Sequence, residues 1–182
     1  MNDEIRVLKD VVSRLEGAGV PYMLSGSMAM LFYGAPRLTR DLDIVIELRE
    51  QGLSNFIRAF SGPYYLEKES IRNSLKSFIP FNLIHDTLIV KIDFIVRKNT
   101  AYRVEEFFRR QKKAQEGFDV WVVAPEDLIL SKMEWSLESG SEIQDRDIKN
   151  LLQALPFLDK GYIEKWSQHL GMLERWKKLN SR

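Results

Sequence analysis

Cysteine is absent from the 182 residues, which excludes disulfides, Cys-ligated zinc, iron–sulfur clusters and thiol catalysis. Histidine is nearly absent too. His85 and His169 lie far apart in unlike contexts, so a His-based transition-metal site is excluded and any metal should be a hard ion held by carboxylates. No apolar run approaches the roughly 18 residues a membrane-spanning helix needs. Glycine and proline, 10 and 6 residues, are too few for a collagenous or low-complexity chain. The start, Met1-Asn2-Asp3-Glu4, is acidic where a secretory signal is basic, so a cytoplasmic location is expected.

What remains is the composition of an ordinary folded chain, 45% hydrophobic, with 27 Lys plus Arg against 26 Asp plus Glu. The near-zero net charge hides two opposed runs. Residues 97–113 carry seven basic and two acidic side chains, a local +5, and residues 126–147 carry seven acidic and two basic, a local −5. The first run either tracks a nucleic-acid backbone or forms a solvated helix and edge strand, where lysines discourage edge pairing.

Apolar periodicity predicts an amphipathic helix over 3–16, capped by Asn2 or Asp3 and stopped at Gly17 and Gly19. A short strand over 21–24 runs into Ser25-Gly26-Ser27, and Ser27 is expected to cap a short buried helix over 28–33. A strand over 41–48, a helix over 51–60 and a weak helical or loop segment over 70–77 follow. Strands over 78–84 and 87–96 should meet at His85-Asp86. A helix over 102–108 precedes a hairpin, 110–115 with 118–123, turning at Glu116-Gly117. Helices are expected over 125–137, 142–155 and 159–179, the last broken near Gly171. The reading is an α+β fold: a mixed sheet flanked by helices over 1–124, with a helical region over 125–182 packed on it. The four tryptophans sit on amphipathic elements and are expected to pack in the core or an interface; stacking on a nucleobase is the alternative for Trp135, though spacing does not argue for it.

Asp41 and Asp43 are two apart on a strand, so both carboxylates leave one face while Leu42 and Ile44 enter the core. Adjacent like charges repel, and a cation between them removes the cost. Asp93 is a charge inside the apolar strand 90–96 and needs a partner, which is either a shared metal or a cation such as Lys91 or Arg40. With the two strands side by side, three carboxylates converge. Three carboxylates can hold two divalent ions about 4 Å apart, the arrangement suited to phosphoryl displacement. Upstream, the Gly26-Ser27 turn offers free backbone N–H groups and a hydroxyl to a phosphate, with thirteen residues between Ser27 and Asp41.

Gly26-Ser27, Asp41-Leu42-Asp43 and Asp93 in this order resemble the nucleotidyltransferase superfamily that includes DNA polymerase beta and the antibiotic nucleotidyltransferases. The stretch Arg37-Leu38-Thr39-Arg40-Asp41-Leu42-Asp43, with Pro125-Glu126-Asp127-Leu128, Lys132 and Arg146-Asp147-Ile148, resembles the abortive-infection and toxin–antitoxin type. After the Gly-Ser turn this chain reads Met28-Ala29-Met30-Leu31, unlike the Ala-Arg-Gly run of the small antitoxin-type members.

The resemblance implies a Mg²⁺-dependent enzyme that moves a nucleoside monophosphate from an NTP to a hydroxyl acceptor: a tRNA 3′ end, a protein or a small molecule. Asp41, Asp43 and Asp93 would hold two Mg²⁺ ions, and Gly26 and Ser27 the triphosphate. Lys132 would neutralise developing charge, with Asp147 completing the site and its neighbour Asp145 the competing candidate. Arg37 either meets phosphate or caps the loop onto Asp41, and Thr39 belongs to the same nucleotide-binding stretch. The rival expectations are a non-catalytic partner subunit of a toxin–antitoxin system, with an antitoxin-type protein partner, and a nucleic-acid binding protein.

Overall fold

The computed structural model describes residues 2–181. The first helix, α1 (Asp3–Gly17), starts where the Asn2 side chain accepts from the Ile5 amide at 3.0 Å, and it buries Ile5, Leu8, Val12 and Leu15 as the spacing requires. Strand β1 (Tyr22–Ser25) leads without a loop into α2 (Gly26–Ala29) and a 3-10 turn (Met30–Tyr33). Ser27 therefore lies inside the first turn instead of capping it; Ser25 holds the cap position and its side chain makes no capping bond.

The sheet is completed by β2 (Asp41–Ile46), β3 (Tyr64–Tyr65), β4 (Phe81–His85), β5 (Lys91–Val96), β6 (Gln111–Gln115) and β7 (Phe118–Val122). The order is β3-β4-β5-β2-β1-β7-β6. Pairs β2/β5 and β1/β7 are parallel and the others antiparallel, so the sheet is mixed. Between the strands run α3 (Glu50–Ala59), α4 (Lys68–Ser77) and α5 (Ala101–Phe108). After the sheet come α6 (Pro125–Ser139), α7 (Glu142–Ala154), α8 (Lys160–His169) and α9 (Leu173–Asn180). This is an α+β fold with helices flanking a mixed sheet.

Three local readings need correction. The segment expected to be weak is the full helix α4, and β3, a strand of only two residues, was not expected. Strands β4 and β5 are joined by 86–90 instead of the two residues His85-Asp86, with Ile89 in the left-handed region at φ 51°.

One face of the outer sheet is closed. Leu42, Ile44, Ile92 and Phe94 are fully buried there, and Phe56 of α3 and Phe60, the C-cap of that helix, pack on Phe94 with ring centroids 5.3 and 5.5 Å away. Burying each such side chain contributes roughly 1.5–3 kcal/mol. The alternation that buries them sends Asp41, Asp43, Lys91 and Asp93 to the opposite face. Helix α6 is buried on most sides over its first half, with Leu128, Ile129, Leu130 and Met133 in the core and Glu126, Asp127 and Lys132 buried beside them, and it packs against α2, α7 and α8. Among the described residues, no helix is long and apolar enough to cross a membrane.

Candidate active site

Register assembles the site. Ser25 of β1 pairs with Asp43 of β2, Asp43 pairs with Asp93 of β5, and Asp93 pairs with Asn82 of β4. These four side chains form one row across four strands, because cross-strand partners share a face. Asp41 lies one step along the row's edge, paired with Lys91.

Directly above Asp43 the chain turns at Gly26, whose φ is +62°. A Cβ at Gly26 would stand 1.8 Å from Asp43 Oδ2, so only glycine lets this turn and this carboxylate touch. Burial pushes the Asp43 carboxyl above the usual carboxylate range, the neighbouring Asp93 charge adds to the rise, and Lys132 opposes it. Lys91 Nζ lies 2.8 Å from Asp93 Oδ2, and that hydrogen bond raises the lysine's pKa.

The third wall comes from α6 and α7. Lys132 Nζ donates to Asp147 Oδ2 at 2.8 Å and to Gln144 Oε1 at 3.2 Å, with both charged side chains buried. Burial lowers the Lys132 pKa, and Asp147 works against that. Arg37 Nε lies 3.4 Å from the same Asp147 oxygen, and Arg37 Nη2 donates to the Ser27 hydroxyl. Asp147 thus stands behind two cations and holds them toward Ser27. Of the two readings for the loop, Arg37 does not reach Asp41; the Thr39 hydroxyl does, accepting from the Asp41 amide at 3.2 Å.

These groups border an open cleft of about 450 Å³ lined by Ser25, Gly26, Ser27, Asp43, Lys132 and Gln144. Sequence reasoning missed Gln144, although its place one turn before Asp147 on α7 puts the two on one face. For Trp135 the sequence favours packing and leaves nucleobase stacking as the alternative. Trp166 and Trp176 are buried as expected, but Trp135 is 52% exposed and lines this cleft.

As placed, the described residues hold no set of three Asp, Glu, His or Cys side chains arranged around a metal position. The Asp93 carboxylate is turned to Lys91, whose ammonium supplies positive charge beside the carboxylates. The donors nevertheless suit a hard divalent cation: Asp41, Asp43 and Asp93 are all oxygen ligands on one face, and Asp43 is a half-buried carboxylate beside another.

The basic run 97–113 is largely spoken for. Arg103 is held by Glu106 and Glu134, Arg109 by Glu126 and Asp127, Arg97 by Glu47 and Lys112 by Asp119. Arg110 stacks on Phe107 and Trp121.

No protein-family model matches the sequence, and no curated protein matches it. Solved structures match its fold. An antigenic nucleotidyltransferase-like protein from Paracoccidioides brasiliensis is 16% identical, with 98% of this chain and 94% of that chain covered and a TM-score of 0.56. ANT(2″)-Ia in complex with adenylyl-2″-tobramycin is 12% identical over 99% of this chain and 100% of that chain, TM-score 0.59. The lincosamide antibiotic adenylyltransferase LnuA, lincomycin-bound, is 15% identical over 83% of this chain and 96% of that chain, TM-score 0.51. The chain has the nucleotidyltransferase fold.

Proposed function

We propose that this protein is a Mg²⁺-dependent nucleotidyltransferase that moves a nucleoside monophosphate from an NTP to a hydroxyl acceptor. The observation that carries the reading is the contact between the Gly26 turn and Asp43, which sets a glycine turn at a helix start against a carboxylate row. The likeness in fold to ANT(2″)-Ia, captured with adenylyl-2″-tobramycin, and to LnuA supports it. The motif stretch from Arg37 to Asp43 supports an abortive-infection or toxin–antitoxin setting.

Asp41, Asp43 and Asp93 would hold the metal. Bound there, Mg²⁺ would offset charge on the reacting phosphate. The Gly26-Ser27 backbone and hydroxyl receive the triphosphate, with Arg37 beside Ser27 from the loop before β2 and Lys132 from α6. The acceptor oxygen attacks the α-phosphorus; its P–O bond forms as the bond to the pyrophosphate bridging oxygen breaks. The acceptor's proton goes to Asp93 Oδ1, the oxygen Lys91 leaves free. Pyrophosphate departs with the bonding electron pair, and Lys132 and Arg37 stabilise its charge.

Calorimetric titration of ATP, GTP, CTP and UTP with and without Mg²⁺ tests this reading. Metal-dependent binding of at least one NTP is expected, and the Asp41→Asn/Asp43→Asn double variant should lose it. If the folded wild type binds no nucleotide, the reading fails and the partner-subunit alternative takes its place.

A further inference from the structure

Beside the phosphate cleft lies a second hollow of about 860 Å³ that shares Ser25, Ile95, Ser131 and Trp135 with it. The two are compartments of one groove, and the Trp135 indole forms part of their common wall. We propose that Trp135 is the platform on which the nucleobase of the bound NTP stacks, with the base lying in this second compartment. The inference rests on the nucleotidyltransferase reading and adds a specificity-determining residue to it.

Position is the first argument. Trp135 follows Lys132 by three residues on α6, so the two side chains are neighbours on one helix face, and both line the phosphate cleft. Exposure is the second. Half the indole is open to solvent, while Trp166 and Trp176 are buried, and among the described residues no aromatic ring or cation packs on it. An exposed large aromatic inside a groove has contact area to offer a flat ligand.

The rest of the compartment suits an uncharged ring. Its charges cancel, three basic against three acidic, and Arg103 is already held between Glu106 and Glu134. Val45 and Ile95 rise from the sheet as an apolar floor. Phe78 closes the far rim with φ 57°, a left-handed conformation that an aromatic residue rarely adopts and that clusters at binding sites.

Inorganic tripolyphosphate separates the base from the phosphates. In calorimetric titrations with Mg²⁺, wild type should bind its preferred NTP about 5- to 150-fold more tightly than tripolyphosphate, the range expected of base–aromatic stacking. Trp135→Ala should lose that advantage and keep its tripolyphosphate affinity, and Trp135→Phe should keep most of it. Circular dichroism melts check that the variants fold. Unchanged NTP affinity in Trp135→Ala overturns the proposal, as does a wild type that binds NTP and tripolyphosphate equally. In either case the phosphate site would stand; binding of neither ligand by wild type would instead overturn the nucleotidyltransferase reading itself.

Discussion

At Gly26 the site depends on a missing atom. A methyl group there collides with Asp43 Oδ2 and the residue must also hold φ +62°. Gly26→Ala should cost about 1–2 kcal/mol from backbone strain alone and should abolish NTP binding by pushing Asp43 aside. Gly34→Ala, at φ +71° with nothing within 4 Å of the added Cβ, should show the strain without the binding loss. Melting curves and NTP titrations on both variants separate the two effects. The Lys132–Asp147 pair behaves differently because it is buried. Asp147→Asn leaves Lys132 and Arg37 without their shared carboxylate and should cost about 3 kcal/mol. The double variant Lys132→Met/Asp147→Leu should regain most of that stability in urea unfolding and still bind NTP poorly. If it binds as wild type does, Lys132 takes no part in holding the triphosphate. Asp41, Asp43 and Asp93 were legible because a charge in an alternating strand declares its face. Trp135 was legible only as an alternative, since α6 is buried on most sides over its first half and its apolar pattern gives no sign of the one side that opens onto the groove.

Among the elements, those with strong apolar periodicity, α1 and β2, follow the sequence closely. The failures have a common cause, which is thin local signal. Helix α4 buries only Ile71 and Ser74, and β3 exists because Tyr64 and Tyr65 pair with β4, a contact distant in sequence. That short strand is tied down by a side-chain clamp: Asp10 of α1 accepts from the Tyr64 hydroxyl and from Arg14 Nε, each at 2.6 Å, and Arg14 Nη1 donates to the Ala59 carbonyl of α3. Burial raises the Asp10 pKa, but the bonds from Arg14 and Tyr64 and the Arg14 charge together outweigh it, and the carboxyl lies below its ordinary 3.8. A depressed carboxylate contributes stability above its unfolded pKa and loses it as pH falls through the lower folded value. Asp10→Asn should therefore lower stability by about 1 kcal/mol at neutral pH, a modest figure because the pair is partly solvated. The gap between variant and wild-type melting temperatures should stay constant from pH 7 to 5 and close below pH 3.8. A gap that instead widens in acid would mean Asp10 is not held as the anion.

Across the whole molecule, the two charged runs that stand apart in sequence meet in space. Arg103 and Arg109 on the α5 side pair with Glu134, Glu126 and Asp127 of α6, so the two runs are joined by ion pairs that tie α5 to the helix that follows the sheet. Sequence reading counted both runs but left the basic one open between a nucleic-acid track and a solvated face, because pairing between segments has no local signature. The consequence is testable through salt. A protein that neutralises several phosphates shows log affinity falling against log salt by roughly 0.9 per phosphate contact on duplex DNA. Here most of the run's cations are already matched, and fluorescence anisotropy with a labelled duplex should give weak binding with a slope of magnitude below about 2. Glu126→Gln/Glu134→Gln supplies the internal control. It leaves Arg103 and Arg109 with one acidic partner each in place of two, so the variant's slope should steepen. A steep slope already present in wild type would show that the run faces a nucleic acid despite its internal pairs.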